Sequence, residues 1–122
     1  MKDYDIHERI FNYIVNVINF LNKLPKTSTN LIFINQVTRS VTSMGANDQE
    51  ADGALTKKDF MHGFTLVRKE GKETVFWFRI IEKTNLSKFG LEALGLIDEG
   101  KELVAIVSTI IKNTASSDKD RK

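Results

Sequence analysis

Apolar residues recur at steps of three and four along almost the whole chain, and this spacing constrains the fold more than any other feature. A repeat near 3.6 residues places the apolar side chains on one side of an α-helix. Four segments show it, over residues 6–24, 31–51, 60–81 and 89–110, and no useful length of strand-like alternation occurs. The first of these rows is Ile6, Ile10, Ile14, Val17, Leu21 and Leu24. The sequence therefore predicts an all-α protein with four helices.

Turn and cap residues divide the four segments. Pro25 ends the first helix, because the residue before a proline is displaced from helical geometry. Ser, Thr, Asp and Asn favour helix starts, and the candidate caps are Asp3 or Asp5, Thr27 or Ser28, Thr56, and Asn85 or Ser87. Short connections predict an antiparallel up-down-up-down four-helix bundle over residues 1–114. Residues 115–122 (ASSDKDRK) are expected to form a disordered polar tail.

Glycines stand inside two of the predicted helices, where glycine is unfavourable by about 1 kcal/mol relative to alanine. Gly45 and its small neighbours predict a close approach of another helix to the second helix. Gly90, Gly95 and Gly100 fall in the first half of the fourth helix, where we expect fraying or a break.

The composition excludes several classes of protein. The chain has 122 residues, which corresponds to one domain, and it has no cysteine, which excludes disulfides and thiolate chemistry. The charged N-terminus does not fit a signal peptide, and the apolar runs are far shorter than the roughly 20 residues of a membrane span. We therefore expect a cytoplasmic protein without membrane contact. A net charge of +2 permits contact with nucleic acid without arguing for it.

The second helix is unusual because its predicted outer surface lacks charge. Between Thr27 and Asn47 only Arg39 is charged, whereas a surface helix normally carries Lys, Glu and Arg on one face. Such a helix is expected to be covered on both sides, and the simplest cover is another copy of the chain. Large apolar residues of the third helix also lie outside its core row. The predicted oligomer interface consists of Phe33, Ser40, Met44, Asn47, Phe76, Trp77 and Ile80.

Basic residues of the third helix form a candidate surface for nucleic acid or another anion. Lys58, Lys72 and Arg79 are separated by multiples of seven residues and therefore share a face. Phe76 and Trp77 are candidate stacking residues for single-stranded nucleic acid. The alternative is an ordinary solvated face, because glutamates are interspersed at 70, 73 and 82. The full candidate set is Arg39, Lys58, Arg68, Lys69, Lys72 and Arg79.

Residues that carry chemistry are scarce. Asp59 and His62 stand three residues apart on one side of the third helix. Carboxylate-bridged metal bundles use two Glu-x-x-His motifs and two further glutamates, and a capping Asp beside a surface His explains the pair without a metal. The sequence has no nucleophile elbow and no glycine pattern for a nucleotide. We expect no catalytic residue, no metal site and no cofactor, and hence no enzymatic activity.

Two blocks of the sequence resemble a known family. Residues 39–51, RSVTSMGANDQEA, are similar to the R-S-x-x-S-x-x-A-N-x-x-E-A pattern of four-helix bundle proteins encoded in intervening sequences of bacterial 23S rRNA genes. Residues 57–62 and 69–77 resemble the second block of that family, and residues 24–26 resemble its first turn. The similarity covers nearly the whole chain.

The resemblance implies an up-down four-helix bundle that assembles as a homopentamer, with no established enzymatic activity and no cofactor. A related branch, the accessory protein of diversity-generating retroelements, is similar in forming a basic pentameric barrel that binds a reverse transcriptase and nucleic acid. Two functional hypotheses follow. One is a ring-forming bundle that contacts RNA, DNA or a nucleic-acid-handling protein through its basic surface. The other is a structural protein–protein interaction module without nucleic-acid contact.

Overall fold

Four α-helices account for almost all of the described structure. The structure is a computed structural model that describes the backbone of residues 5–120 and the side chains of residues 5–117. Asp3, a candidate cap, lies outside the described residues. Within the described range no strand is present, which confirms the all-α prediction. The helices are α1 (Ile6–Lys23), α2 (Ser28–Asp52), α3 (Lys57–Thr84) and α4 (Ser87–Asp120).

Side-chain caps fix the starts of the first three helices. Asp5 accepts two backbone N–H groups at 3.0 and 3.2 Å at the start of α1. Thr27 and Thr56 each accept one at 3.1 Å at the starts of α2 and α3. These bonds satisfy donors that a first helical turn leaves unpaired. Asn85 ends α3, where its side-chain amide donates to a carbonyl of the last turn, and α4 begins at Ser87.

Contacts between the helices show that each helix runs opposite to its neighbours. α1 packs on α2 and α4, and α3 packs on the same two helices. Where residue numbers rise along one helix, the numbers of the contacting residues fall along its neighbour. The contacts are Arg9–Glu99 and Lys23–Glu92 for α1 and α4, His7–Asp48 and Ile14–Gly45 for α1 and α2, Ser40–Thr74 and Ser43–Glu70 for α2 and α3, and Gly71–Val104 and Gly90–Glu82 for α3 and α4. The bundle is therefore antiparallel, up-down-up-down, as predicted.

The core is made of the inward rows of all four helices. Phe20 of α1 meets Phe78 of α3 edge to face, with ring centroids 5.7 Å apart. The Tyr13 hydroxyl donates to the Leu96 carbonyl of α4 at 3.1 Å, and burial raises the pKa of this phenol. A satisfied hydroxyl explains how a tyrosine is accommodated at the centre of the bundle.

Helix α4 is continuous, so the predicted break at its glycines is wrong. A Cβ atom on Gly100 would lie 2.6 Å from the Tyr13 hydroxyl oxygen and 2.7 Å from Val75 Cγ2. The missing side chain thus lets α1 and α3 approach α4. At Gly45 of α2, a Cβ would lie 2.6 Å from Ile14 Cδ1, and the close approach predicted at this position is confirmed.

The end of α4 differs from the predicted domain boundary. The helix continues past residue 114 to Asp120. Residues 115–120, which the sequence assigned to a disordered polar tail, are therefore a continuation of α4. Residues 121 and 122 of that tail lie outside the described residues.

Candidate nucleic-acid interface

The outer side of α3 carries a row of basic residues interrupted by one aromatic ring. Its steps of 4, 4, 3 and 4 keep the members on one face of the helix. All but the first member are exposed, and Phe76 keeps 50% of its surface open to solvent. We call this row the basic stripe; it consists of Arg68, Lys72, Phe76, Arg79 and Lys83.

A groove runs between the basic stripe and α4. Two hollows of about 450 and 250 Å³ lie along it. Phe76, Arg79 and Lys101 line both hollows, so the two form one continuous depression. Lys101 belongs to α4 and faces the stripe from the other wall. We call this depression the basic groove; its charged and aromatic residues are Lys72, Phe76, Arg79, Glu82, Lys83 and Lys101, and its apolar residues are Val75, Ile80, Leu94, Ile97 and Val104.

The charges of the basic groove are unbalanced. Four basic side chains and one acidic side chain line it, which gives a net charge of +3. In the described part of the chain, no carboxylate lies within 4.0 Å of the side-chain nitrogens of Lys72, Arg79 or Lys101. Lys83 has one such neighbour, Glu82, at 3.8 Å. Cations without an internal partner remain available to the anionic groups of a ligand.

Arg39 lies on the α2 side of α3, where it forms an ion-pair network. Its guanidinium donates a hydrogen bond to Glu73 and lies 3.6 Å from Glu70. This hydrogen bond holds the pKa of Glu73 below its usual range and raises the pKa of Arg39. The sequence left an ordinary solvated face open because glutamates are interspersed among the basic residues of α3. Two of these glutamates, Glu70 and Glu73, instead pair with Arg39 of α2 and balance its charge. We therefore remove Arg39 from the candidate site.

The other three basic candidates lie outside the groove. Lys58 is exposed in the first turn of α3, roughly 21 Å along the helix from Lys72 at 1.5 Å per residue. Lys69 is exposed, and its charge lowers the pKa of Glu73, a member of the Arg39 network. Arg68 is half-buried, one turn before the groove begins.

Sequence reasoning found two of the groove's cations and missed two. Lys72 and Arg79 were predicted, and the structure brings them together. Lys83 follows Arg79 by four residues, so helical spacing alone was a sufficient signal for it. Lys101 gave no such signal, because its position opposite Phe76 depends on the register between α3 and α4.

Three residues of the predicted oligomer interface lie inside the single chain. Ser40 and Met44 are fully buried, and Phe33 is 9% exposed. The Ser40 hydroxyl lies 2.7 Å from the Thr74 hydroxyl of α3, and Phe33 packs against the Trp77 ring with centroids 6.1 Å apart. Their assignment to an interface is wrong, because α3 already covers the side of α2 that carries them.

The other four interface candidates are partly accessible. Asn47 donates back to a carbonyl of its own helix at 2.9 Å, and Trp77 donates its indole N–H to Glu73 at 3.2 Å. Phe76 and Ile80 line the basic groove. These four side chains remain candidates for contact with a partner.

The outer surfaces of α1 and α2 form a second candidate interface. Phe11 and Ile32 expose 60% and 58% of their surface, and a cleft of about 510 Å³ lies between the two helices. Apart from Arg39, whose guanidinium pairs with Glu73 of α3, the exposed α2 residues from Leu31 to Ala46 on this side carry no charge. We call it the uncharged face; its exposed residues are Phe11, Val15, Leu31, Ile32, Asn35, Thr42 and Ala46. Large apolar side chains exposed on two neighbouring helices make this side a candidate interaction surface.

An acid–histidine cluster joins the start of α1 to the end of α2. His7 Nδ1 lies 2.8 Å from an Asp48 oxygen, and His7 Nε2 lies 3.1 Å from an Asp52 oxygen. Burial raises the pKa of Asp48, although the hydrogen bond with His7 opposes this shift. Sequence reasoning missed the cluster because His7 and Asp48 are 41 residues apart.

The candidate metal pair is not assembled into a larger site. Asp59 and His62 are both exposed, and Asp59 serves the start of α3 through its backbone N–H. Within the described residues, no group of three or more His, Asp or Glu side chains is placed to hold a metal ion. In the same range, no helix combines the length and the apolar character that a membrane span requires.

Comparison with known proteins identifies the family of this chain and a solved structure with a similar fold. The family model described as 23S rRNA-intervening sequence protein matches residues 2–114. A crystal structure at 1.70 Å of a protein with unknown function from the S23 ribosomal protein family of Bacteroides thetaiotaomicron is similar, with a TM-score of 0.78 and 25% identity. The match covers 92% of this chain and 99% of that chain. No curated protein matches the chain at a significant level.

Proposed function

The chain belongs to the family of 23S rRNA-intervening sequence proteins, and from this premise we propose that it is a non-enzymatic, self-associating bundle that binds RNA or DNA through the basic groove. One observation carries the proposal. Lys72, Arg79 and Lys101 share one groove and have no acidic partner among the described residues. The family description refers to ribosomal RNA, which makes nucleic acid the first anion to test.

The groove suits the chemistry of a phosphate backbone. Lysine and arginine bind phosphate oxygens through charge-assisted hydrogen bonds, and each neutralised phosphate releases counterions. The whole chain has a net charge of only +2, but the groove alone carries +3. Because a cleft focuses the field of its own lining charges, the local charge favours binding more than the net charge indicates.

Self-association would strengthen the binding of nucleic acid by bringing several basic grooves together. The uncharged face offers the surface for it, since Phe11, Val15, Leu31 and Ile32 each expose between 41% and 60% of their surface. Copies joined there carry several basic grooves on one particle, and linked sites bind a polymer more tightly than one site does. The family resemblance implies five subunits; the proposal requires that association leaves the basic groove open.

The test is a filter-binding titration of structured rRNA fragments at low salt, where phosphate contacts are strongest. We expect retention by the parent protein and about tenfold weaker binding by the Lys72→Gln/Arg79→Gln variant. Arg39→Gln is the matched control, because it removes an arginine that the structure places outside the groove. A parent protein that retains no RNA would contradict the proposal, and so would an Arg39→Gln variant that loses as much affinity as the Lys72→Gln/Arg79→Gln variant.

The second candidate function is a structural protein–protein interaction module without nucleic-acid contact. The exposed Phe11 and Ile32 of the uncharged face favour it, because a partner protein would cover them as well as another copy would. Pull-down from cell lysate after nuclease treatment separates the two functions. A partner protein retained after nuclease, by a protein that fails the filter-binding test, would support this candidate.

A further inference from the structure

The basic groove contains an aromatic ring placed among cations. Phe76 is half exposed, Lys72 precedes it by one helical turn, and Arg79 follows it by less than one turn. Lys101 lies across the groove on α4 and lines the same two hollows. The Trp77 ring meets Phe76 edge to face, with centroids 5.2 Å apart and planes at 70°. This contact orients the Phe76 ring without stacking on it.

A ligand that satisfies this groove needs two properties at once. Its anionic groups must reach the cations on both walls, and it must offer a flat or apolar group to Phe76 and to the apolar residues Ile80, Leu94 and Ile97. A free phosphate or a purely acidic chain supplies only the first property. A nucleotide supplies both, because the base has a π-face and the backbone carries the charge.

The accessibility of the base faces decides whether the groove suits single-stranded or double-stranded nucleic acid. In a duplex the base faces are stacked inside the helix, and a protein meets mainly phosphates, sugars and base edges. A duplex therefore uses the cations of the groove and leaves Phe76 unused. In a single strand the bases are free to leave the stack and lie on an aromatic side chain. From Lys72 to Lys83 the basic stripe covers about 16 Å along α3, which suits a short run of nucleotides.

We infer that the basic groove selects single-stranded nucleic acid by stacking a base on Phe76, while Lys72, Arg79 and Lys101 hold the flanking phosphates. The inference rests on the proposed function, since it names the form of nucleic acid that the same groove takes. It adds a contact that does not depend on charge and that a duplex cannot make.

The experiment measures binding by fluorescence anisotropy with three labelled probes of equal length. The probes are oligothymidylate, the same backbone with abasic sites in place of the bases, and a blunt DNA duplex. We expect the parent protein to bind the oligothymidylate more tightly than the other two. Phe76→Leu keeps apolar bulk and removes the aromatic face, and it should weaken oligothymidylate binding by roughly 5- to 100-fold. Its affinity for the abasic and duplex probes should stay unchanged.

Two further variants separate stacking from a structural role. Phe11→Leu is the matched control, because Phe11 is the other strongly exposed phenylalanine and lies outside the groove. It should keep the parent protein's ratios of affinity between the three probes; ratios are compared because Phe11 belongs to the uncharged face, where a change in self-association would alter all three affinities together. Phe76→Trp retains an aromatic face and should keep the preference for oligothymidylate. The emission of Trp77, the single tryptophan of the parent chain, gives a second readout, because a base on Phe76 lies beside it.

The outcomes distinguish this inference from the proposed function. If Phe76→Leu binds all three probes like the parent protein while Lys72→Gln/Arg79→Gln binds them weakly, phosphate binding stands and the stacking inference falls. Equal weakening of all three probes by Phe76→Leu would also overturn it, since that pattern indicates a structural role. If the parent protein binds none of the probes, the proposed function fails together with the inference.

Discussion

At the scale of single residues, the glycines of α4 show how neighbours decide what a residue does. Helix propensity predicts the same unfavourable contribution from Gly95 and Gly100, because both are glycines inside one helix. A Cβ on Gly95 would meet no atom within 4 Å, whereas a Cβ on Gly100 would collide with Tyr13 and Val75. The helix propensity of a residue was therefore predictable, and the packing that overrides it at Gly100 was not.

We expect Gly100→Ala to lower the free energy of unfolding by about 1–3 kcal/mol, because overpacking outweighs the gain in helix propensity. The Tyr13 hydroxyl cannot retreat without losing its bond to the Leu96 carbonyl. Gly95→Ala is the control and should stabilise the protein by up to about 1 kcal/mol. Urea denaturation followed by circular dichroism measures both. Equal effects of the two substitutions would contradict the packing at Gly100.

The buried carboxyl of Asp48 should make stability depend on pH. Burial raises its pKa in the folded state, so this group contributes stability that is present at low pH and lost as the pH rises through the folded-state pKa. Asp48→Asn removes the titration. The melting temperature of Asp48→Asn should therefore improve relative to the parent protein as the pH rises from about 4 to 6. A relative loss over this range would show that the contact with His7 outweighs burial.

At the scale of helices, periodicity predicted the four elements and short connections predicted their antiparallel order, but neither determined which side of α2 faces the core. Rows of Ser, Thr and apolar residues on two sides of α2 suggested cover by another copy. The structure turns the row with Ser40 and Met44 into the core instead. Hydroxyls made this possible, since Ser40 bonds Thr74 and the Val37 carbonyl inside the bundle. Whether a buried hydroxyl finds a hydrogen-bond partner depends on the helix that faces it. The sequence of one helix alone therefore could not predict it.

The buried hydroxyl pair between α2 and α3 should behave as a coupled unit. Ser40→Ala and Thr74→Val should each lower the free energy of unfolding by about 1 kcal/mol. The double variant should lose less than the sum, because the second substitution no longer breaks the shared bond. Thr65→Val is the control, since the exposed Thr65 hydroxyl bonds only its own helix at 2.7 Å. Additive losses in the double variant would show that the two hydroxyls do not interact.

At the scale of the whole molecule, the distribution of charge carries more information than the net charge. The basic groove occupies one side of the bundle, and the uncharged face lies on the outer side of α1 and α2. Sequence reasoning identified both properties but assigned several residues to the wrong surface, as Arg39 and Ser40 show. Which exposed residues share a surface depends on how neighbouring helices pack. The spacing of residues within one helix does not determine that packing.

Self-association through the uncharged face predicts an oligomer in solution. Light scattering after size exclusion should give the parent protein a mass that is a multiple of 13.9 kDa. Ile32→Glu should shift the mass towards the monomer, because burying an unpaired charge in an apolar interface is costly. Leu55→Glu is the control, since Leu55 is 97% exposed in the loop between α2 and α3 and should leave the mass unchanged. A monomeric parent protein would contradict this part of the account.

The central claim is that unpaired cations of the basic groove bind the phosphates of nucleic acid, and the salt dependence of binding tests it most directly. The affinity of the parent protein for an rRNA fragment should fall linearly on logarithmic axes as salt increases. Arg79→Gln should reduce the slope by about 1, as expected for one lost phosphate contact, whereas Arg39→Gln should keep the parent slope. A flat dependence for the parent protein, or the same slope for Arg79→Gln and the parent, would contradict the account.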